Sequence, residues 1–431
     1  ITSNIMEKNL SYEGAVAGLY RLQKFGIKFG LSKTANLLEA FGNPHHGQHY
    51  IHIGGTNAKG SVAAFVASLL KEAGLKVGLY TSPHLVRFTE RFRINDEEID
   101  PDEARSLIED LTTHYAPHEP PTFFEATTAM AIIYFARQHC DMAVMEVGMG
   151  GRLDATNIIT PEVSAITNIG LEHREYLGPT LLDIAREKGG IIKPKVPIVT
   201  GASQPSVIRC LRGMALEKDA PFHWIGGGIR YRKHGPQLHY YGLRRRFPSL
   251  DLGLSGGFQA RNAALALAIL ELLEGEGRVT VQEDAVRRGL QRVQWAGRMQ
   301  ILPGKPRILL DGAHNPPAMN TLARTLLKEC AYDRLILVIG VMADKDIPAI
   351  LRSILPLSDQ VIYTRPRYYR ASDPSVLAEV GTSLGKPGQV IPSLNDAIEK
   401  ARGLAKSQDL MVICGSLFTV GEALRYLDPR H

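Results

Sequence analysis

The sequence predicts an α/β fold in two domains, each built on a mostly parallel sheet. The first observation is length, because 431 residues exceed the roughly 250–300 residues at which a single hydrophobic core stops growing. The second is alternation: apolar runs typical of buried parallel strands, such as "YIHIGG" and "DMAVMEVGMGG", alternate with helical patterns. The third is that this alternation starts again after residue 296, at "RILLDGAHN". We therefore predict a first domain over residues 1–296 and a smaller one over residues 297–431.

Composition is that of a globular protein, with 44% hydrophobic and 22% charged residues. No apolar run reaches the roughly 18 residues of a membrane span, and the first ten residues, "ITSNIMEKNL", are too polar for a signal peptide. The four cysteines lie far apart and form no CxxC pair, which fits a reducing compartment. We predict a cytoplasmic monomer that has no membrane partner.

The charge balance does not identify a partner, because a net charge of +6 and a pI near 9.0 suit a small anionic substrate as well as nucleic acid. The densest basic run, "GLRRRF" at residues 242–247, ends a polar, hairpin-like stretch. No helix-turn-helix, zinc-finger or RNA-binding signature accompanies it. We interpret this run as a solvated hairpin edge and predict no nucleic-acid partner.

A glycine-rich segment, "GGTNAKGS" at residues 54–61, joins a predicted strand to a predicted helix that stops at Gly74. Such a turn presents backbone N–H groups and the positive helix end to a phosphate, and a lysine adds charge. Lys59 and Ser61 stand where this mechanism requires them. The usual glycine before the lysine is Ala58, so we expect the loop to work only if position 58 does not need a positive φ.

Taken alone, this segment also fits a strand-to-helix connection with an incidental lysine. Seven further segments follow it in order: "TSPHLVRFTERFRIN", "EVGMGGRLDATNI", "TNIGLEHREYLG", "IAREKGGIIKP", "FQARNAALAL", "WAGRMQ" and "DGAHNPPA". Together the eight resemble the bacterial folylpolyglutamate synthase and dihydrofolate synthase family, relatives of the muramyl ligases, from about residue 10 to the C-terminus. The resemblance implies a P-loop-type ATPase domain followed by a smaller, Rossmann-like C-terminal domain.

The activity that this resemblance implies is ATP-dependent amide ligation. In that family a substrate carboxylate takes the γ-phosphoryl group of ATP, and the amino group of L-glutamate then attacks the acyl phosphate. The implied substrates are dihydropteroate, reduced folates and L-glutamate, and the implied cofactors are ATP and two Mg²⁺ ions. Phosphoryl transfer of this kind demands positioning and charge neutralisation more than covalent chemistry from the protein.

Two groups of residues are expected to bind the nucleotide. The phosphate loop supplies the first group, which is Thr56, Asn57, Lys59, Gly60 and Ser61. The resemblance assigns the second group, which is Asn262, Arg298 and Asp311. We also expect Asn262 to cap the helix that it begins. Phe258 stands where the family commonly has histidine, so we expect stacking or apolar packing around the adenine in place of a polar contact.

The metal residues are expected at the end of a strand. Glu146 follows the buried run "MAVM" and should emerge at the carboxyl end of its strand, where open α/β sheets bind ligands. Mg²⁺ takes few protein oxygens. By resemblance, Glu146 bridges both Mg²⁺ ions, Ser82 serves the first and His173 the second. Histidine is an unusual Mg²⁺ ligand, so a hydrogen-bonded loop residue is the alternative for His173.

The resemblance also implies a modified lysine. Lys188, in "REKGGIIK", matches a lysine that the family carbamylates, although the motif usually has alanine where this chain has Gly189. The alternative is a surface lysine near a helix C-terminus, where its charge is favourable. Lys59, Lys188 and His314 are the predicted catalytic residues.

The substrate residues fall into a glutamate side and a pteroate side. His314, in "DGAHNP", and Ser416, in "CGSLFTVGEAL", resemble residues on the glutamate side, and His314 is also a candidate to polarise the acyl phosphate. Phe124, Asp154 and Ala155 border the implied pteroate pocket. For Phe124 the alternative to stacking on a flat ring is core packing, and for Asp154 the alternative to pterin binding is capping its turn.

Three other functions are alternatives to a bifunctional ligase. A ligase for a UDP-linked cell-wall precursor usually carries a separate N-terminal domain, for which the residues before the loop leave no room. A non-catalytic nucleotide-binding module conflicts with the joint presence of Lys59, Ser82, Glu146, His173 and Asp311. An enzyme that only extends folate tails stays open, since no single residue type separates it from the bifunctional form.

Overall fold

The structure is a computed structural model that describes residues 11–26, 30–115 and 119–428. The first ten residues, for which the sequence predicts no signal peptide, lie outside the described ranges. The chain divides into two compact units, Ile1–Asp251 with Arg261–Val293 and Leu252–Ala260 with Gln294–His431. Each unit carries a mostly parallel sheet with helices, which confirms the predicted α/β fold class.

The first unit is built on an eight-stranded sheet with the order β4-β3-β2-β5-β1-β6-β7-β8. Its strands are β1 (Tyr50–Gly54), β2 (Val77–Tyr80), β3 (Phe92–Ile94), β4 (Glu97–Glu98), β5 (Met142–Glu146), β6 (Val163–Ile166), β7 (Ile198–Thr200) and β8 (Phe222–Trp224). Only the pairings of β3 with β2 and with β4 are antiparallel. The neighbouring strands β1 and β5 are buried along their whole length, as their apolar runs predict.

Ten helices of the described residues accompany this sheet. They are α1 (Tyr12–Tyr20), α2 (Ser32–Ala40), α3 (Lys59–Glu72), α4 (Pro101–Thr113), α5 (Phe123–Arg137), α6 (Arg174–Leu177), α7 (Leu181–Gly189), α8 (Pro205–Leu216), α9 (Gln259–Gly275) and α10 (Glu283–Arg292). Short 3₁₀ helices lie at Arg21–Phe25, Pro44–Gly47, Phe88–Arg91 and Ala155–Ile158, and a fifth, Leu355–Leu357, belongs to the second unit. None of the helices in the described ranges is long and apolar enough to cross a bilayer.

Helix α3, which follows the glycine-rich segment, is buried on all sides from residue 60 to residue 70. Helix α10 packs closely against α3. There Ser68 Oγ donates to the Gly289 carbonyl at 2.7 Å, and a Cβ at position 289 would lie 2.9 Å from the Leu69 Cα atom. Only glycine allows this close approach of the two helices.

The basic, hairpin-like stretch forms a three-stranded antiparallel ribbon of β9 (Arg230–His234), β10 (Gln237–Tyr241) and β11 (Arg246–Leu250). One buried carboxylate holds the turn between β10 and β11. Glu271, on α9, accepts the backbone N–H groups of Leu243 at 2.8 Å, Arg244 at 3.2 Å and Arg245 at 2.6 Å. The run of arginines therefore begins in a turn that is fixed through its backbone, as the hairpin interpretation predicts.

The second unit carries a six-stranded sheet with the order β12-β13-β17-β14-β15-β16. Its strands are β12 (Gln300–Leu302), β13 (Arg307–Asp311), β14 (Leu335–Ile339), β15 (Gln360–Arg365), β16 (Gln389–Ser393) and β17 (Leu410–Cys414). Its helices are α11 (Pro316–Glu329), α12 (Ile347–Ile354), α13 (Pro374–Ser383), α14 (Leu394–Leu404) and α15 (Leu417–Leu427). The apolar runs "RILLDGAHN", "RLILVIGVM", "QVIYTR" and "DLMVICGSL" predict four strands, and these are β13, β14, β15 and β17. The edge strands β12 and β16 add to them.

Candidate active site

The predicted phosphate loop, residues 54–61, starts with the last residue of β1 and runs into the first turn of α3. The loop that follows β6 holds it in place, because Thr56 N donates to the Asn168 carbonyl at 2.9 Å and Asn57 N donates to Asn168 Oδ1 at 3.1 Å. Gly170 N in turn donates to Thr56 Oγ1 at 3.0 Å. The loop after β6, which lies at the same edge of the sheet, therefore fixes the backbone of Thr56 and Asn57.

Two lysines converge on this loop. Lys59 Nζ donates to the carbonyls of Gly55 at 3.1 Å and Thr56 at 3.3 Å, and Lys188 Nζ donates to the Gly55 carbonyl at 2.9 Å. Lys188 is only 1% exposed, so it is not the surface lysine of the alternative interpretation. Burial and then the charge of Lys59 lower the pKa of Lys188 to about 8. With a pKa of about 8, roughly a tenth of this amine is uncharged at pH 7, far more than of an ordinary lysine, and the uncharged amine is the form that reacts with carbon dioxide.

Ala58 departs from expectation. The sequence argument required position 58 to avoid a positive φ, but Ala58 has φ +67° and ψ +6°, in the left-handed region. That conformation costs an L-residue about 1–2 kcal/mol. Ala58 is also the N-cap of α3 and offers no side-chain oxygen to the first turn. The first N–H groups of α3, which include those of Gly60 and Ser61, have no intrahelical acceptor and suit a phosphate.

Glu146 lies beside the phosphate loop. It is the last residue of β5, and in the pairing of β1 with β5 it stands opposite Ile53, just before the loop. Its Oε2 atom accepts a hydrogen bond from Ser82 N at 3.0 Å, and Ser82 follows the adjacent strand β2. The structure thus brings together two of the three predicted metal residues.

This donor set fits Mg²⁺, which takes one or two carboxylates and completes its shell with phosphate oxygens and water. Glu146 supplies a carboxylate and Ser82 a hydroxyl. In the described ranges, no group of three or more His, Cys, Asp or Glu side chains is arranged to hold a metal.

The third predicted metal residue, His173, precedes α6 and adopts a left-handed conformation with φ +49°. Its Nε2 atom lies 3.6 Å from Glu172 Oε1. The Glu172 side chain is 8% exposed and opposes the lowering of the Lys188 pKa. Sequence reasoning missed Glu172, although a carboxylate next to the histidine of "GLEHREYLG" was the available signal. Metal ligation by His173 stays a prediction.

On the predicted pteroate side, Asp154 is buried and caps the 3₁₀ helix that starts with the buried residue Ala155. Its Oδ1 atom accepts from Thr156 N at 3.0 Å and Thr156 Oγ1 at 2.5 Å, and Oδ2 accepts from Met149 N at 2.8 Å. Burial raises the pKa of Asp154. The capping alternative is therefore present in the structure, and pterin binding by Asp154 and Ala155 stays a prediction.

A histidine that sequence reasoning did not single out completes this network. Because the Thr156 hydroxyl gives its one proton to Asp154, its oxygen must accept from His52 Nε2, which lies 2.9 Å away. Burial lowers the pKa of His52 to about 3. The neutral imidazole therefore orients Thr156, and Thr156 orients Asp154.

The adjacent aromatic residues Phe123 and Phe124 have different surroundings. Phe123 stacks on Tyr20, with ring centroids 5.2 Å apart and an angle of 7° between the planes. The Phe124 ring lies against Gly148, where any side chain would overlap it. Phe124 therefore faces the segment "EVGMGG" that follows β5, and stacking on a substrate stays a prediction for it.

In the second unit, Asp311 ends β13 and is buried. Its carboxylate accepts the N–H groups of Met299 and Ala313, both at 2.9 Å. Burial raises the pKa of Asp311, and the nearby charge of Arg298 opposes this. The predicted nucleotide residues Arg298 and Asp311 are therefore electrostatic neighbours.

The two glutamate-side residues lie after neighbouring strands of the second sheet, since β13 pairs with β17. His314 Nδ1 forms a hydrogen bond with the Gly312 carbonyl at 2.9 Å. Ser416 is 2% exposed and caps α15, where its Oγ accepts from Thr419 N at 2.9 Å. Both residues stand at the carboxyl edge of the sheet, where parallel sheets bind ligands.

The predicted cap at Asn262 is wrong. Helix α9 begins at Gln259, so Asn262 lies within its first turn rather than before it. The reason is a turn at the two glycines that precede the helix: Gln259 N donates to Gly256 O at 2.9 Å and Ala260 N to Gly257 O at 3.3 Å. Nucleotide contact by Asn262, which is 7% exposed, stays a prediction.

Comparison with known proteins identifies both domains. Residues 53–270 match the Mur ligase middle domain, and residues 297–417 match the glutamate ligase domain of Mur ligases. The chain is 36% identical over 429 residues to a probable bifunctional folylpolyglutamate synthase/dihydropteroate synthase of Haloferax volcanii, with 96% of this chain and 50% of that protein covered. The chain thus spans about half the length of that relative, and about half the length of a second one from Halobacterium salinarum.

A relative of similar length also matches. The chain is 31% identical over 428 residues to the dihydrofolate synthase/folylpolyglutamate synthase of Bacillus subtilis, with 97% of this chain and 99% of that protein covered.

Solved structures of related proteins have the same fold as this chain. A folylpolyglutamate synthase of Mycobacterium tuberculosis complexed with ADP superposes with a TM-score of 0.90 at 32% identity, over 97% of this chain and 99% of that one. A bifunctional folylpolyglutamate synthase/dihydrofolate synthase with Mn, AMPPNP and L-glutamate bound gives a TM-score of 0.85 at 30% identity, over 96% and 98%. The chain therefore belongs to the dihydrofolate synthase/folylpolyglutamate synthase family of Mur ligases.

Proposed function

We propose that this chain is an ATP-dependent ligase that joins L-glutamate to dihydropteroate and to the γ-glutamyl tail of reduced folates. The observation that carries the proposal is the register of the first sheet. It sets Glu146, at the end of β5, beside Ile53 and hence beside the phosphate loop after β1. A carboxylate that can bind a metal ion and a loop whose lysine can bind phosphate then lie at the same edge of the sheet. Phosphoryl transfer requires both groups close together.

Each group has a proposed task. Thr56, Asn57, Lys59, Gly60 and Ser61 form the loop that binds the ATP phosphates, chiefly through the Lys59 ammonium and the N–H groups of Gly60 and Ser61. Asn262, Arg298 and Asp311 bind the rest of the nucleotide. Glu146, Ser82 and His173 hold two Mg²⁺ ions, which neutralise charge on the transferring phosphoryl group when bound. Lys188, as a carbamate, orients this site. Asp154, Ala155 and Phe124 contact the pteroate, and His314 and Ser416 contact L-glutamate.

The reaction has two bond-forming steps. A carboxylate oxygen of the acceptor attacks the γ-phosphorus of ATP, and the bond to the ADP oxygen breaks. The glutamate amine then attacks the carbonyl carbon of the acyl phosphate and loses a proton, and inorganic phosphate leaves with the electron pair. Lys59 stabilises the charge on the phosphoryl oxygens in the first step.

Both activities are proposed because relatives that match over nearly the whole chain carry both names. Tail extension alone is the second candidate, favoured by full-length relatives named only folylpolyglutamate synthase. All four cysteines, Cys140, Cys210, Cys330 and Cys414, are free thiols, which supports a reducing compartment. We propose that the protein is a cytoplasmic monomer.

The experiment that tests this function is glutamate-dependent phosphate release with ATP and Mg²⁺, with dihydropteroate and tetrahydrofolate compared as acceptors. Release with both acceptors is expected from wild type. The variant Lys59→Met should be inactive, and Lys71→Met, at the far end of the same helix, should be active. Release with tetrahydrofolate alone would restrict the function to tail extension, and release with neither would refute it.

A further inference from the structure

The loop between β2 and β3, residues 81–91, is shaped by one internal carboxylate. Thr81 N donates to the Arg91 carbonyl at 3.2 Å, which closes the two ends of the loop. The Glu90 carboxylate accepts the N–H groups of Leu85 at 2.7 Å, Val86 at 2.9 Å and Arg87 at 2.7 Å. Glu90 is therefore committed to backbone groups of its own loop.

Three arginines stand on or beside this loop, and two of them share a carboxylate. Arg87 forms a close ion pair with Glu98, with Nη2 at 2.7 Å and Nε at 3.1 Å, and Arg93 lies 3.7 Å from the same side chain. Arg91 is different. It is only 6% exposed, and among the described residues no carboxylate lies within ion-pair distance of its guanidinium.

The immediate neighbours of Arg91 are aromatic. Its Cζ atom lies 5.1 Å from the centroid of the Phe123 ring, and its Nε donates to His84 Nδ1 at 2.9 Å. Because Nδ1 accepts that bond, His84 is neutral and carries its proton on Nε2, which lies 3.1 Å from the Tyr20 hydroxyl. The groups next to the Arg91 guanidinium are therefore a ring face, a neutral imidazole and the Tyr80 side chain, none of which is an anion.

A buried guanidinium without an anionic partner is unfavourable, since the attraction of a ring face replaces only part of the lost hydration. Burial accordingly lowers the pKa of Arg91, and the negative charge of Glu146 is among the groups that oppose this. Arg91 thus lies beside a stacked pair of rings, Tyr20 and Phe123. A ligand that combines an anionic group with a flat ring would match both the charge of Arg91 and the rings next to it.

We propose that Arg91 binds the free carboxylate of an arylcarboxylate acceptor and so favours dihydropteroate over acceptors in which that carboxylate is already an amide. The inference rests on the proposed function. A guanidinium forms paired, charge-assisted hydrogen bonds with a carboxylate, whereas the amide carbonyl of a folate offers one neutral acceptor. The aryl ring would lie near Tyr20 and Phe123, with its carboxylate on the Arg91 guanidinium. Arg91 is thereby a specificity-determining residue for the first glutamate addition.

The test compares the binding of pteroate and of its carboxamide to the full chain by titration calorimetry. Wild type should bind pteroate about ten- to hundredfold more tightly than the amide, the range of a hydrogen bond to a charged group. Arg91→Met should lose this preference and bind both weakly, and Arg91→Lys should keep part of it. The matched variants Arg87→Met and Arg93→Met, which change arginines paired with Glu98, should keep the wild-type preference.

An unchanged preference in Arg91→Met, or no preference in wild type, would overturn the inference. If Arg91→Met does not fold by circular dichroism, Arg91→Gln takes its place in the same comparison. A structural role alone would weaken both ligands equally and keep their ratio. Failure of the proposed function is distinguishable, because it would show as absent glutamate-dependent phosphate release in wild type, independently of any arginine variant.

Discussion

Replacing Ala58 by glycine should stabilise the first unit, although the residue lies in the phosphate loop. Ala58 has φ +67°, and a left-handed conformation costs an L-residue about 1–2 kcal/mol, which glycine does not pay. Against this, glycine makes the unfolded chain more flexible, at a cost of about 0.4–1 kcal/mol. The balance predicts a gain of about 0.5–1 kcal/mol in the free energy of unfolding.

The measurement is urea unfolding of the full chain, with the midpoint and the slope fitted separately. An unchanged slope shows that a shift of the midpoint reports stability rather than a change in the exposed surface. The matched control is Ala73→Gly at the other end of α3, where the C-cap residue has φ −78° and ψ −4°. In this right-handed conformation glycine relieves no backbone strain, so the free energy of unfolding of the control variant should fall by about 0.5–1 kcal/mol.

The prediction is that the two variants change the free energy of unfolding in opposite directions. If Ala58→Gly lowers stability by as much as Ala73→Gly, the backbone at position 58 carries no strain, and the interpretation of the loop is wrong. If it raises stability and phosphate release persists, the alanine is a tolerated but strained replacement for the usual glycine.

Three further predictions concern buried polar groups. Glu146→Ala should abolish phosphate release with the fold retained by circular dichroism, because it deletes a metal ligand and little core volume; near-normal turnover would contradict the metal assignment. Burial lowers the pKa of Lys188 from 10.5 to about 8, so the unfolded chain binds more protons between these values. The stability of wild type relative to Lys188→Met should therefore rise with pH from about 8 to 10.5 in urea unfolding, and a flat difference would show that Lys188 is not buried as an amine. Thr156→Val leaves the His52 donor unpaired and should cost about 1–3 kcal/mol, whereas Thr156→Ser should restore most of that loss; equal losses in the two variants would exclude the hydrogen bonds as the cause.

The strands that sequence patterns predicted are those with buried apolar runs on both faces. Strand β17, "LMVIC", is buried at all five positions, so its sequence alone identifies it. Strand β16, "QVIPS", is mostly exposed and contains a proline at the sheet edge, and β12 has only three residues. Edge strands of this kind form because a neighbouring strand offers unpaired backbone groups, which β13 offers to β12 and β15 offers to β16.

The site was predictable where a residue acts from a strand end or a turn. Glu146 follows an apolar run and was found there, and Lys59 follows a glycine-rich turn. The backbone at Ala58 was not predictable, because the loop after β6 and not the local sequence fixes that conformation. The sequence also did not predict that Lys188 is buried, since a lysine near a helix C-terminus is usually exposed. In the structure the buried ammonium group of Lys188 donates to the Gly55 carbonyl, which is distant in sequence.

The Gly55 carbonyl has a consequence for which anions the loop selects. It accepts the ammonium groups of Lys59 and Lys188 together, and Lys59 also reaches the Thr56 carbonyl. Any anion that recruits Lys59 must outcompete two neutral oxygens that are already well placed. A singly charged, weakly accepting ion gains little by this exchange, whereas a polyphosphate with several charged oxygens gains much. If the loop binds ATP as proposed, we expect it to select its anion by charge density, independently of the base and the ribose.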